Sequence, residues 1–361
     1  MPARQFWCNL FFAACIVIGQ TGVLVSLPLF SDVIASNGGS AYFVVWLGAL
    51  CFTVFWGLVV FCMWCTNSIG QPELQTLSVS GQFCVLQLGL ADALSGMMVV
   101  FASPSSRTPP YLQAILGNFT IPMTIIARKW ILNKFPSLAG IASASLVLIG
   151  LFISLVPTMF RLDGPEVQTL HSVLWPCWFM AGFIPTAIMS VLEERALQHN
   201  QGQVNAVWIV FWLNMWQLVF VSGLFWLDFV PLYGMSDDFA DWMQRMHDGF
   251  LCFIPGDRCG QEGFKRALVF ICCFMLNDVG SAMLLRYSEG ATWQAIVSTL
   301  VTPLGVFWWT LFKEKPTLHW QPQWANTTTF ALLGILLMLP GIVMYKWKGS
   351  TEPLALEKTL L

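Results

Sequence analysis

The residues best placed for chemistry are two carboxylates in otherwise apolar stretches. Asp92 lies about a dozen residues from either end of one such stretch, and Asp278 lies at a comparable depth in a later one. A carboxylate in hydrocarbon costs at least about 2.5 to 3.5 kcal/mol, so these side chains are expected to face a protein interior or a water-filled cavity. There they could exchange a proton with an acidic lumen or serve as structural hydrogen bonds between helices. A second set is neutral: Gln113, Asn118 and Thr120 in one stretch, Gln294, Ser298, Thr299 and Thr302 in another, and Gln20 with Thr21 near the start. Their amides and hydroxyls can hold the backbone and zwitterionic groups of a solute, or fasten helices together at roughly 0.6 to 2 kcal/mol each. Pro122 and Pro303 each remove a backbone hydrogen bond and predict kinks whose freed carbonyls line a cavity.

Other chemistry lacks its residues. Cysteines such as Cys51, Cys62, Cys84, Cys177 and Cys272 are scattered through apolar stretches, where a thiol behaves as a small hydrophobe, so neither a metal site nor a cofactor is expected. His171, His199, His247 and His319 fall in separate loops, which argues against an enzyme. With a net charge of -2 and no basic run, nucleic acid is not an expected partner.

The elements that must position the two acids are helices in lipid. Of 361 residues, 57% are hydrophobic and only 10% charged, far below the roughly 25% charged of a soluble domain. Crossing about 30 Å of hydrocarbon takes roughly 20 apolar residues in a self-bonded helix. Such stretches read as Phe6–Phe30, Tyr42–Cys65, Ser80–Ala102, Tyr111–Leu132 and Leu138–Val156, then Ser172–Leu192, Val204–Leu227, Arg266–Arg286, Ala291–Phe312 and Thr327–Trp347. The first outlasts the 7 to 15 residue core of a signal peptide and is read as a retained span. With the N-terminus inside, Arg4, Arg128, Lys129, Lys134, Arg195, Arg286, Lys346, Lys348 and Lys358 lie inside, against Arg107, Arg161, Lys313 and Lys315 in the short outer loops. That bias places both termini in the cytoplasm.

Two patterns recur. Gln113-Ala114-Ile115 precedes Pro122 by the spacing with which Gln294-Ala295-Ile296 precedes Pro303, and Asp92, Ser95 and Met97 repeat as Asp278, Ser281 and Met283. Both recur in order at about half the chain length, across an odd number of spans, which turns the second copy upside down in the membrane. The expected fold is therefore an all-α integral membrane protein of ten transmembrane helices in two inverted five-helix repeats, residues 1-160 and 161-361. Secondary transporters of this symmetry bind solute near the midplane and rock about it.

Between the seventh and eighth spans, Phe239, Trp242, Met243, Met246 and Phe250 recur at helical spacing behind Ser236, Asp237 and Asp238. They predict a short amphipathic helix on the lumenal membrane surface, within a loop of about 235-262. Cys252 and Cys259 follow, free to pair in an oxidising lumen or to remain thiols in a reducing compartment. Glu193, Glu194 and Arg195 read as a solvated helix end. The tail Glu357-Lys358-Thr359-Leu360-Leu361 is similar to an acidic dileucine sorting signal, one residue short of the usual spacing.

At these residues the chain resembles the chloroquine resistance transporter-like family of the drug/metabolite transporter superfamily. The resemblance rests on Leu90-Ala91-Asp92-Ala93-Leu94-Ser95, the Gln113 to Pro122 segment, Asn277-Asp278, Ile296-Val297-Ser298 with Pro303, and Asp248-Gly249-Phe250-Leu251-Cys252. It implies ten spans in inverted halves, a central cavity, a lumenal surface helix with disulfides, and export of amino acids, small peptides or glutathione-type thiols, often with protons, from a vacuolar or endolysosomal compartment or across plastid envelopes. The malarial members' cavity-facing Lys has no counterpart, because Gln20-Thr21 occupies its neighbourhood, and two loop cysteines stand in place of four. The link between the first two spans also reads as longer. The expected partners are a small solute, protons and the bilayer, with the chain a monomer. A nucleotide-sugar or phosphate-sugar exchanger is the second reading, disfavoured because the basic residues cluster at span ends, and a receptor or scaffold is the third.

Overall fold

A computed structural model describes residues 3–70, 79–133, 138–160, 171–199, 205–254, 259–287, 294, 297–298, 300–313, 319–322 and 326–349. Ala295, Ile296 and Thr299, the tail Glu357 to Leu361, and Lys134, Arg161, Lys315 and Lys358 of the charge comparison lie outside the described residues.

The chain is built from α1 (Ala3–Ser36), α2 (Ala41–Cys65), α3 (Val79–Ala102), α4 (Pro110–Leu116), α5 (Thr120–Leu132), α6 (Leu138–Phe160), α7 (His171–Ala181), α8 (Phe183–His199), α9 (Ala206–Gly223), α10 (Phe239–Phe253), α11 (Gly260–Tyr287), α12 (Val301–Leu311) and α13 (Asn326–Gly349). The one pair of strands among the described residues is short. Phe312–Lys313 pairs antiparallel with His319–Trp320.

Six described helices or helix pairs are long and apolar enough to cross a bilayer: Trp7–Ser36, Ala41–Cys65, Gly81–Ala102, Val173–Ala196, Ala206–Phe229 and Gly260–Leu284. Shorter apolar helices, Ala144–Ser154, Val301–Leu311 and Thr328–Gly341, accompany them. On α2, Val54, Leu58 and Phe61 recur on one outward face and are more than half exposed. Water would punish such stripes, whereas lipid is their proper solvent. The chain is a multi-pass membrane protein.

Local chemistry sets several boundaries. The Ser40 hydroxyl accepts from Tyr42 N at 3.0 Å and so starts α2, and Asn205 caps α9 through Val207 N at 3.1 Å. Helix α1 continues past Pro28 to Ser36, which leaves only Asn37–Ser40 as the link to α2. The longer link read from the sequence came from ending the first span at Phe30. The fourth predicted span is divided into α4, a 3-10 turn at Gly117–Phe119, and α5. Pro122 lacks the N–H that would bond to Asn118, and the tighter turn lies directly before it. Pro303 occupies the first turn of α12, where its missing N–H has no helical partner to lose.

Helix α1 packs along α11, α6 along α13, α2 and α3 along α9, α8 against α3 and α5, and α4 against α12. The α1–α11 approach is close because glycines line it. A Cβ at Gly19 would stand 2.6 Å from Asn277 N, and one at Gly280 would stand 2.9 Å from Ile16 N. That closeness sets Gly19, the neighbour of Gln20, against Asn277, the neighbour of Asp278.

Candidate functional site: an acidic central cavity

A cavity of about 310 Å³ lies among α1 to α5, α7 to α9, α11 and α12. Its walls include Asp92, Asp278, Gln113, Asn118, Gln294, Ser298, Thr302 and Gln20, with Thr120 beside them, whereas Thr21 is not among its described walls. Ser95 and Ser281 line it too, each one turn from an acid, and Ser95 meets Thr186 at 2.6 Å.

Sequence reasoning missed a third acid. Glu193, read as part of a solvated helix end, is 5% exposed and lines the cavity. It interacts electrostatically with Asp92, and Asp278 interacts with both. The carboxylate sits only six residues from the end of α8, and nothing in its charged neighbourhood of Glu194 and Arg195 marks it as inward-facing. Glu194, fully buried, instead pairs with Arg128 at 3.0 Å. Among the described residues, no Lys, Arg or His lines the cavity.

The neutral residues divide by their bonds. Gln113 donates its amide to the carbonyls of Ser103 at 2.6 Å and Thr108 at 2.8 Å, so it ties α4 to the preceding loop. Thr302 donates to Ala114 O at 3.2 Å or to the Asn118 side chain at 3.0 Å, and Asn118 reaches the Met338 sulfur at 3.5 Å. These contacts join the two segments that carry the Gln–Pro repeat. Among the described residues, the buried side-chain oxygens of Gln20, Gln294 and Gln217 of α9 and the Thr124 hydroxyl have no hydrogen-bond partner. Aromatic rings cover another part of the wall: Phe52 stacks on Phe274 at 4.3 Å, and Phe270 stands 6.0 Å from Phe274.

At the end of the bundle where α3 finishes and α10 begins, a second cluster knits the loops. The Asp228 carboxylate, fully buried, accepts from Ser40 and Ser236 hydroxyls at 2.8 Å each and from Met235 N at 3.1 Å. Arg107 lies 4.0 Å over the Trp175 ring and donates to Phe101 O at 2.6 Å. Tyr233 stacks on Phe101 at 4.7 Å and donates to Met97 O at 3.0 Å, and burial pushes its phenol up to about 12. The amphipathic stretch behind Ser236 forms α10, with Asp238 accepting from Asp241 N at 2.7 Å as its cap. Cys252 at its end is bonded to Cys259, with Cα atoms 4.8 Å apart.

Residues 36–345 match the family described as CRT-like, chloroquine-resistance transporter-like. The chain belongs to the CRT-like family. The curated relative Crt homolog 3 of Dictyostelium discoideum is 24% identical over 314 residues, covering 79% of this chain and 61% of that protein. Crt homolog 1 of the same organism is 28% identical over 138 residues, 38% of this chain and 27% of the relative. This CRT-like chain thus matches about three-fifths of the length of the first relative. A solved crystal structure of a protein superposes with a TM-score of 0.45 at 14% identity, covering 92% of this chain and 95% of that one.

Proposed function

We propose that this CRT-like protein is a secondary transporter that moves small solutes bearing a positive charge, such as basic amino acids or short peptides, across an organelle membrane. One observation carries the reading: three carboxylates share a cavity among whose described walls there is no basic residue. Uncompensated charges of one sign in a low-dielectric space attract the opposite sign, whether a proton or an ammonium group. An exchanger of nucleotide sugars or phosphate sugars needs fixed cations for its phosphates, so the same wall disfavours it.

The wider architecture proposed is ten spans in two inverted five-helix halves. Its support is the packing pattern. Helix pairs α2–α9, α4–α12 and α6–α13 each join corresponding spans of the two halves, while α1–α11 and α3–α8 exchange under the same twofold operation. In that arrangement Asp92 and Asp278 are counterparts, and alternating access rocks the halves about them. Proton coupling through these acids and an endolysosomal address, consistent with the dileucine-like tail, complete the proposal. The chemistry is transport without catalysis.

The test is uptake of radiolabelled arginine and of a lysine-containing dipeptide into proteoliposomes, with and without a pH gradient. Asp92→Asn and Asp278→Asn are expected to abolish gradient-driven uptake. Unchanged, still pH-driven uptake in both variants would remove proton coupling. Preference for labelled glucose 6-phosphate over arginine would sink the cationic reading.

A further inference from the structure

Four glutamines line the cavity, and they are not equivalent. Gln113 has spent its amide on two backbone carbonyls. Gln20, Gln217 and Gln294, from α1, α9 and the segment before α12, each have a side-chain oxygen sealed from water with no donor among the described residues. A buried acceptor without a partner destabilises the fold by its unrecovered desolvation, and native folds keep such groups rarely unless they serve a purpose. Three in one cavity, on three separate elements, is a concentrated expense of fold stability. Gln113 and Gln294 also occupy matching places in the internal repeat, so the pair has diverged: one amide closes a loop, the other is left open.

We infer that Gln20, Gln217 and Gln294 are the specificity-determining residues of the carrier, their side-chain carbonyls accepting the N–H donors of the transported solute. The inference rests on the transport reading above and adds to it the residues that orient the solute. The carboxylates Asp92, Glu193 and Asp278 attract a charge over several ångströms without fixing direction. A carbonyl rewards only a donor at about 2.9 Å and in line, which selects among solutes of equal charge. The terminal torsion of a glutamine is broad, so each oxygen can swing toward a donor that enters the cavity. Gln217 is the most telling of the three, being only 5% exposed and contributed by a helix on which the sequence marked no site residue.

The sign of the stability effect separates this role from a structural one. Replacing an unpartnered amide by methionine removes a desolvation cost, whereas replacing a bonded amide strands its partners. Gln20→Met, Gln217→Met and Gln294→Met, purified in detergent, are expected to melt at or above wild type, and Gln113→Met several degrees below. In proteoliposomes the first three are expected to raise the KM for labelled arginine about tenfold, the loss of one charge-assisted hydrogen bond, with little change in maximal rate. Gln217→Glu keeps an acceptor and is expected to hold KM near or below wild type. If wild type carries neither arginine nor the lysine dipeptide, the transport reading fails and takes this one with it. If wild type carries them while the methionine variants keep wild-type KM, or melt several degrees lower, the glutamine assignment alone is overturned.

Discussion

Arg128 of α5 and Glu194 of α8 form an ion pair of 3.0 Å, with side chains 17% and 1% exposed, and the adjacent Glu193 turns the other way into the cavity. Successive helix positions diverge by about 100°, so one short stretch of α8 serves both as fastening and as cavity wall. Charge at Glu193 and the seam between α5 and α8 are therefore mechanically joined.

Breaking that pair strands a buried charge, which typically costs 3 to 5 kcal/mol, whereas removing both partners costs far less. Arg128→Met is expected to lower stability by about 3 kcal/mol, and Arg128→Met with Glu194→Met to melt closer to wild type than either single change. Thermal denaturation of the four proteins in detergent checks it. Additive losses in the double variant would mean that the pair is not coupled.

The bond between Cys252 and Cys259 closes a loop seven residues apart and fastens α10 to the start of α11. A closure of this length stabilises by about 2.5 kcal/mol on the chain-entropy account. Cys252→Ser is expected to lower the melting temperature by several degrees, and reductant to lower wild type but not the variant. Equal sensitivity of both proteins to reductant would assign the effect elsewhere.

Arg245 donates to Asp241 at 2.8 Å, and that hydrogen bond holds the Asp241 carboxyl below its ordinary value. A carboxyl depressed on folding adds stability that is present above its unfolded value, about 3.9, and is lost as pH falls through the folded one. The first turn of α10 is thus expected to keep its protection from hydrogen exchange between pH 8 and pH 5 and to lose it only below about 4. Asp241→Asn should remove this dependence. Fraying at pH 5 in the wild-type protein would contradict it.

The long apolar helices, the amphipathic helix α10 and the two acids of the cavity were legible in the sequence because each leaves a local mark. Twenty apolar residues, a 3.6-residue stripe behind Ser236-Asp237-Asp238, and a lone charge in lipid need no tertiary knowledge. Glu193 was not legible, since three consecutive charged residues look solvated until Arg128 of another helix is seen to bury one of them. Nor was Gln217, because its neighbours Trp216 and Leu218 make it one polar position in an apolar run. The same limit applied to Gln113: its type and spacing suit a ligand, yet it bonds to Ser103 and Thr108, and only the loop geometry could reveal that. Asp228 was missed for a like reason, its partners Ser40 and Ser236 lying on either side of it, and Ser40 188 residues away.

Glu193 offers the sharpest remaining test of the acidic cavity, because its neighbour Glu194 supplies an internal control. Glu193→Gln keeps size and hydrogen-bonding reach while deleting one of three buried acids that interact electrostatically, so the fold is expected to hold its stability or gain slightly. Transport should suffer in the opposite sense. A hydrogen bond to a charged group is worth about 1.5 to 3 kcal/mol, so uptake of a cationic solute should weaken about ten- to a hundredfold. Glu194→Gln, which leaves the cavity's charge intact but loosens Arg128, should instead lower the melting temperature. Measuring both variants for melting temperature and for arginine uptake gives a crossed pattern if the cavity is acidic by design: Glu193 costs function without stability, and Glu194 costs stability first. Parallel losses in the two variants would mean that Glu193 is only part of the helix end, and that two acids, not three, define the site.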